Sequence, residues 1–131
     1  MINNPYCWGT GRRKTSVARV RIKSGTGKIV LTSRDIGEYF VRERDRESAC
    51  NPLKVTKTAG VYDVWVNVNG GGITGQAGAV ALGIARALLK VDVSLAEILR
   101  NNDMLTRDSR MKERKKYGQK GARAGFQWTK R

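Results

Sequence analysis

The sequence has no histidine and only two cysteines, and these absences exclude several kinds of site. Without histidine there is no Ser-His-Asp triad, no Cys-His pair and no zinc site with an imidazole ligand. Cys7 and Cys50 are far apart and cannot complete a zinc site alone, so we expect free thiols in a reducing compartment. No apolar run approaches the ~20 residues of a membrane-spanning helix. We therefore expect no metal centre, no membrane span and no histidine-based catalysis.

Acidic residues are scarce at both ends of the chain. Residues 1–28 contain seven Lys or Arg and no acid, and residues 107–131 contain ten Lys or Arg against two acids. Residues 29–106 carry nine charges of each sign, so the ends account for the whole net charge of +15. A neutral body with two basic ends is typical of nucleic-acid-binding proteins, because clustered Lys and Arg attract phosphates.

Alternation of apolar and polar residues predicts the strands. Residues 17–23 alternate in this way and should form a half-buried strand with a cationic outer face. A turn at 24–27 leads to residues 28–31, which we expect to return as its hairpin partner. Residues 61–69 give the clearest strand, and residues 53–58 are expected to form a weaker one.

Helical periodicity predicts one long helix and short ones. Residues 76–90 are small and aliphatic with a helical repeat, and their alanines allow close packing on a sheet. The sequence Ser94-Leu95-Ala96-Glu97 fits a capping box that opens a short helix to about Arg100. Thr32 or Ser33 is expected to cap another short helix.

The remaining segments complete the predicted architecture. Residues 42–48 are expected to be a solvated stretch of mixed charge that Asn51-Pro52 ends. Strands and helices in this order predict a single α+β domain over residues 1–106. Beyond it, residues 107–131 have no periodicity, and we call them the C-terminal tail.

The loop between the strand predicted at 61–69 and the long helix is rich in glycine. Gly70, Gly72 and Gly75 have the spacing of a dinucleotide-binding loop, with Asp92 about twenty residues further on. A Rossmann strand should be buried on both faces, whereas polar and aromatic residues occupy the second face of residues 61–69. Two other interpretations stay open together: a turn that lets the helix sit close to the sheet, and a helix N-terminus that binds an RNA phosphate.

The two basic segments favour RNA as the partner. Residues 9–23 hold six cations and no acid, which is dense for a solvated edge strand and indicates phosphate contact. In the tail, Tyr117, Phe126 and Trp128 stand among cations, as in segments that stack on bases while they pair with phosphates. The alternative for the tail is plain disorder that keeps the protein in solution. No helix-turn-helix, zinc-finger or basic-zipper pattern favours duplex DNA.

Three long blocks of the chain resemble one family, the ninth protein of the small ribosomal subunit in its bacterial or organellar form. They are GTGRRKTSVARVR at 9–21, YDVWVNVNGGGITGQAGAVALGIARALL at 62–89 and LTRDSRMKERKKYG at 105–118, with Thr-Lys-Arg at the end. The resemblance implies a mixed sheet flanked by helices, with a left-handed crossover that breaks the usual rule. It also implies a structural, non-enzymatic protein without a cofactor that binds ribosomal RNA in the head of the subunit.

The resemblance also assigns residues to partners. The tail would pass through RNA, and its tip, Lys130 and Arg131, would contact the peptidyl-site transfer RNA. The predicted ribosomal-RNA contacts are Arg12, Arg13, Lys14, Arg19, Arg21, Gly70, Gly71, Gly72, Thr74, Gln76, Arg107, Arg110, Lys112, Arg114, Lys115, Lys116, Tyr117, Lys120 and Arg123. Neighbouring head proteins are further expected partners, whereas a membrane and a free nucleotide are not. We expect a cytoplasmic ribosome, with a plastid ribosome as the alternative.

The tail departs from the family pattern at two positions. Gly121 and Ala124 replace cations that are usual there, which weakens the expected phosphate contacts in the middle of the tail but not at its tip.

Two other functions are weighed against a ribosomal one: a nucleotide-dependent enzyme that uses the glycine loop, and a nucleic-acid-binding module outside the ribosome.

Overall fold

The computed structural model describes residues 6–111, 113–122 and 124, and in this part of the chain five strands form one mixed sheet in the order β1-β2-β5-β3-β4. The strands are β1 (Cys7–Arg13), β2 (Ser16–Ser24), β3 (Ile29–Leu31), β4 (Arg34–Asp35) and β5 (Tyr62–Asn69). β3 and β5 run parallel, and the other neighbours are antiparallel. The predicted α+β class with a mixed sheet is confirmed.

Helices cover one face of this sheet. They are α1 (Ile36–Tyr39), α2 (Glu43–Val55), α3 (Ile73–Val91) and α4 (Ala96–Asn101), with a 3-10 turn over Val93–Leu95. The long helix α3 contacts β1, β2 and α2. None of the helices in the described ranges has both the length and the apolar character needed to cross a membrane.

The core lies between α3 and the inner face of the sheet. The alternation predicted for β2 and β5 is confirmed, because every second residue is buried from Ala18 to Ile22 and from Val64 to Val68. These buried side chains are Ala18, Val20 and Ile22 of β2 and Val64, Val66 and Val68 of β5. The residues between them point to the opposite, outer face, where charged and aromatic side chains lie.

The edge strand β1 packs against α3 through glycine. Gly9 and Gly11 lie on the inner face, and a Cβ on Gly11 would collide with the carbonyl oxygen of Ala79 in α3. A Cβ on Gly9 would lie 2.6 Å from the backbone nitrogen of Ala87. Because glycine takes the place of the apolar residues, the alternation rule does not detect this strand.

The pairing of β3 differs from the prediction. Residues 28–31 do not return along β2; β3 pairs with β5 instead, since β1 and β5 already occupy the two edges of β2. The carboxylate of Asp63 on β5 accepts the backbone N–H groups of Thr26 and Lys28 at 3.0 and 2.9 Å, which directs the chain past β2. The parallel pairing needs a crossover, which α1 and α2 supply; its predicted left hand stays a prediction.

The start of the first helix also differs from the prediction. Thr32 and Ser33 do not cap it; with φ of 45° and 68° they form the turn between β3 and β4. Helix α1 begins at Ile36, and its N-cap is Asp35.

Helix α2 covers most of the solvated stretch predicted at 42–48 and the first half of the strand predicted at 53–58, and the second half forms a turn instead. Pro52 lies inside this helix rather than ending it. Asp45, Ala49, Pro52 and Leu53 form a buried stripe at helical spacing, and α2 packs on α3. This burial outweighs the cost of a proline within a helix.

The last elements agree more closely with the sequence. The long helix begins at Ile73, three residues before the predicted start, and the predicted short helix corresponds to α4. The predicted capping box is not formed: the N-cap of α4 is Leu95, without a side-chain hydrogen bond, and Asp92 caps the preceding 3-10 turn by accepting the Ser94 N–H. Beyond Asn101, the described residues form turns and bends without a helix or strand. The division of the chain at residue 106 stays a prediction.

Candidate nucleic-acid interface

The β1–β2 hairpin ends in a tight turn that carries cations at its tip. Arg13 pairs with Ser16, so Lys14 and Thr15 form the two-residue turn. Lys14 has a φ of 54°, a region that residues other than glycine seldom adopt. Arg12 and Lys14 are exposed at this end of the sheet. The turn therefore presents two cations to solvent on a rigid two-stranded support.

The glycine loop, residues 70–72, lies directly beside this turn. The hydroxyl of Ser16 donates to the carbonyl oxygen of Gly70 at 3.0 Å, across 54 residues of sequence. The amide of Gln76 donates to the same oxygen at 3.0 Å, and the hydroxyl of Tyr39 donates to the Gln76 carbonyl at 2.6 Å. A Cβ on Gly71 would collide with the Ser16 hydroxyl. The loop is thus a close-packed turn, as one of the two open interpretations predicts.

The two other interpretations of the glycine loop are a dinucleotide-binding site and a phosphate-binding helix N-terminus. No strand follows α3 in the described part of the chain, so the βαβ unit that a dinucleotide site requires is not formed there. Gly72 caps α3 without a side-chain hydrogen bond, and Thr74 in the first turn is exposed. The first turn of α3 lies against the hairpin, because a Cβ built on Gly75 would be 3.1 Å from the Ser16 hydroxyl and 3.8 Å from the Arg13 carbonyl oxygen. Phosphate binding at this position stays a prediction.

Arg13 has a different role from its two neighbours. Its side chain lies against α3 above Gly78, where an added Cβ would be 2.9 Å from Nη1. Its Nη2 lies 3.7 Å from the Asp108 carboxylate, and its Nε is buried without a hydrogen-bond partner. Arg13 therefore joins the hairpin to the base of the tail.

Asp108 organises the base of the tail. Arg110 donates to this carboxylate from Nε at 2.9 Å and from Nη2 at 2.6 Å. These bonds, with the backbone N–H of Arg110 and the charge of Arg13, hold the pKa of Asp108 far below its usual range. The same contact raises the pKa of Arg110. Asp108 and Arg110 therefore stay charged at any working pH.

Two adjoining basic hollows lie between these parts, and because they share Arg13 and Arg110 we name them together the hairpin–tail cleft. Its walls come from the hairpin, from α3 and from the base of the tail, and they include Arg12, Arg13, Lys14, Gly78, Leu82, Thr106, Asp108, Arg110 and Met111. Of the described residues in these walls, four are cations and one is an acid, a balance of +3. The cleft is open and polar, which suits an extended phosphate backbone better than a small enclosed ligand.

The other predicted contact residues are placed as follows. Exposed residues are Arg19, Gly70, Gly71, Gly72, Arg107, Arg114, Lys115, Lys116, Tyr117 and Lys120. Arg21 and Gln76 are half-buried. In the tail, Lys116 pairs with Glu113 at 2.6 Å, and Tyr117 is 97% exposed. Lys112, Arg123, Lys130 and Arg131 lie outside the described residues.

Sequence reasoning missed the aromatic residues of the outer face. Trp8 and Trp65 lie on either side of Arg21, and Tyr6 lies beside the same guanidinium. The alternation of β5 could have revealed Trp65, because this residue lies on the second face of that strand. Trp8 could have been found only if β1 had been recognised as a strand.

The geometry defines a class before any comparison. A small α+β domain has a basic cleft, and the described residues contain no cluster of three metal-ligating side chains. A basic cleft on a small α+β domain is typical of a nucleic-acid-binding protein.

The comparisons with known proteins agree with this class. Residues 11–131 match the family described as ribosomal protein S9/S16. The chain is 56% identical over 123 residues to the small ribosomal subunit protein uS9 of Borreliella burgdorferi (strain ZS7), covering 94% of this chain and 90% of that protein. The chain therefore belongs to the S9 family of small-subunit ribosomal proteins, a family of structural, RNA-binding proteins.

Proposed function

We propose that this structural ribosomal protein binds ribosomal RNA of the subunit head through the hairpin–tail cleft. The observation that carries the proposal is that Arg12 lines one hollow of this cleft and Lys14 the other, with Arg110 in the walls of both. These cations come from segments separated by about a hundred residues, and Asp108 fixes the orientation of one of them. A preorganised set of cations binds phosphates at lower entropic cost than flexible side chains do.

The glycine loop extends this surface toward the N-terminus of α3. Gly70, Gly71 and Gly72 have no side chains that would hold a phosphate at a distance, and the helix N-terminus favours negative charge. We therefore propose that an RNA backbone runs from the hairpin–tail cleft across this loop. Contacts of this kind position RNA and read no base sequence.

The tail extends the proposal to transfer RNA. Family membership and the terminal Thr-Lys-Arg support a tip, Lys130 and Arg131, that contacts the peptidyl-site transfer RNA. Arg107, Arg114, Lys115 and Lys120 would pair with ribosomal RNA on the way. Neighbouring head proteins are the remaining partners, and we propose a cytoplasmic ribosome as the location.

The test compares two pairs of cations in the full chain. Arg12→Gln with Lys14→Gln changes the cleft, and Arg44→Gln with Lys54→Gln makes the same charge change on exposed α2. Binding to head ribosomal RNA is measured between about 50 and 200 mM salt. The cleft pair should weaken binding and reduce the slope of log K against log salt by about 1.5, whereas the α2 pair should change neither. Equal losses from both pairs would show a non-specific charge effect.

A second measurement separates a ribosomal protein from a free-standing nucleic-acid-binding module. The tagged full chain is sedimented from cells in a sucrose gradient. A ribosomal constituent should migrate with small subunits and remain there after a high-salt wash. Release into the top fractions on washing would contradict the structural role.

A further inference from the structure

The outer face of the sheet carries a row of side chains that crosses three strands. Trp8 of β1 pairs with Arg21 of β2, and Arg21 pairs with Trp65 of β5. The three residues lie on the face opposite α3, because their neighbours in sequence are buried against that helix. Cross-strand neighbours on one face are in direct contact range. The row is therefore a continuous strip of aromatic ring, guanidinium and aromatic ring.

Arg21 is held in place by aromatic rings. Its Cζ atom lies 5.9 Å from the Trp8 ring centroid, 5.5 Å from that of Trp65 and 4.9 Å from that of Tyr6. The rings of Tyr6 and Trp65 meet edge to face at 5.5 Å. These contacts fix the guanidinium without a carboxylate, so its charge is not neutralised by the strip itself.

The strip borders a shallow cavity of about 130 Å³ on the same face. Trp8 is 43% exposed at its wall, although a tryptophan is usually covered in a protein of this size. The other polar side chains of the wall are Arg19, Thr32, Ser33 and Asn67. An exposed ring beside free hydrogen-bonding groups is the arrangement on which unpaired bases stack.

The charge of this face indicates an anionic occupant. Arg19, Arg21 and Lys23 all project from β2 on this side. The carboxylate of Asp63 is engaged by three backbone N–H groups of residues 26–28. The other carboxylate in register, Asp35, lies two strands away from Trp65 at the far edge. A protein partner that buried Trp8 would also have to neutralise three cations, whereas RNA supplies base and phosphate together.

We propose that the outer face of β1, β2 and β5 is a stacking platform for unpaired RNA bases. Trp8 is the ring on which a base stacks, and Arg19 pairs with the adjoining phosphate. This proposal rests on the proposed binding of ribosomal RNA. It adds that a single-stranded stretch of RNA lies on this face, in addition to the RNA backbone in the hairpin–tail cleft.

The experiment compares single-stranded and duplex RNA of equal length with the full chain. Trp8→Ala should weaken binding of the single strand roughly tenfold, with the salt slope unchanged, because one stacked base is lost. Duplex binding should be unaffected. Trp8→Phe keeps a ring and should stay near wild type. Val93→Ala, which shortens an exposed apolar side chain beyond α3, should change neither affinity.

A second readout does not depend on the variants. The indole N–H resonance of Trp8, assigned by its loss in Trp8→Phe, should shift when single-stranded RNA is added to the wild-type chain. An unshifted resonance at saturating RNA would overturn the platform even if Trp8→Ala failed to fold. So would equal affinities of the wild type and Trp8→Ala for the single strand.

The two proposals fail in different ways. If Arg12→Gln with Lys14→Gln weakens both RNAs while Trp8→Ala weakens neither, the cleft stands and the platform is wrong. If the wild-type chain binds neither RNA, the proposed function itself is wrong. If Trp8→Ala leaves RNA binding intact but lowers capture of another head protein, the face is a protein interface, and the platform is again overturned.

Discussion

At the scale of single residues, the glycines of β1 decide how close α3 lies to the sheet. Gly9 and Gly11 face the helix at positions where Gly83 is the opposing residue, so backbone meets backbone without side chains between them. This contact joins the edge strand to the core and thereby fixes the hairpin that bears Arg12 and Lys14. The site therefore depends on residues that contribute no chemistry to it.

We predict that Gly11→Ala destabilises the protein by about 3 kcal/mol or more, because the new methyl group collides with backbone atoms of α3 that cannot move separately. Urea unfolding of both forms measures the difference. Gly121→Ala is the matched control, since no atom lies within 4 Å of a Cβ built there. A loss below about 0.5 kcal/mol for Gly11→Ala would show that α3 can shift away from β1.

Asp63 gives the stability a defined dependence on pH. Its hydrogen bonds from the backbone N–H groups of Lys28, Thr26 and Gly27 lower its pKa below the ordinary 3.8. A carboxyl whose pKa is lower in the folded state contributes stability above its unfolded pKa and loses it as the pH falls through the folded value. Asp63→Asn should therefore unfold at a lower temperature at neutral pH, and the difference should shrink below pH 3.8. Melting curves across this range test it, and parallel profiles would contradict it.

At the scale of elements, the sequence predicted those with one buried face and one regular period. β2, β5 and α3 are recognisable because apolar residues recur at strand or helix spacing. β1 was not predicted, because glycine occupies its inner face in place of apolar residues. α2 was not predicted, because its buried stripe begins with Asp45 and includes Pro52. The sequence indicates a solvated residue at Asp45 and a helix breaker at Pro52.

The candidate site could be predicted only in part. Charge patterning predicts which segments would contact phosphates, because that prediction needs no knowledge of the fold. The convergence of these segments depends on contacts between distant residues, such as Ser16 with Gly70 and Arg13 with Asp108. The strip of Trp8, Arg21 and Trp65 depends on strand register, since a slip of one residue would turn Trp8 to the helix side.

The contacts of Asp108 with Arg13 and Arg110 join the hairpin to the base of the tail. Asp108→Ala removes the carboxylate that holds Arg110 and approaches Arg13, so the chain around Arg110 should open more often. Trypsin should then cleave after Arg110 faster than in the wild type, as followed by mass spectrometry under native conditions. Glu113→Ala also removes one tail carboxylate and should leave this cleavage rate unchanged. Equal acceleration by both variants would show that tail charge, and not the Asp108 contacts, protects the site.

At the scale of the whole molecule, charge is divided between the ends, and we expect function to be divided in the same way. The tail carries a net charge of +8, but Ala124–Thr129 lack charge and separate the dense cluster from the last two residues. A dense cluster suits insertion between RNA helices, because each neutralised phosphate releases counterions. The separate pair of cations, Lys130 and Arg131, suits a single positioning contact instead.

We therefore predict that two truncations have different effects. Deleting Thr129–Arg131 should leave subunit assembly intact and weaken the binding of peptidyl-site transfer RNA by about 1–3 kcal/mol, because hydrogen bonds to a charged arginine are lost. Deleting residues 112–131 should impair incorporation into the subunit. Gradient sedimentation measures assembly, and transfer-RNA binding to isolated small subunits measures the tip. If the short deletion left transfer-RNA affinity unchanged, the tail would contact only ribosomal RNA along its whole length.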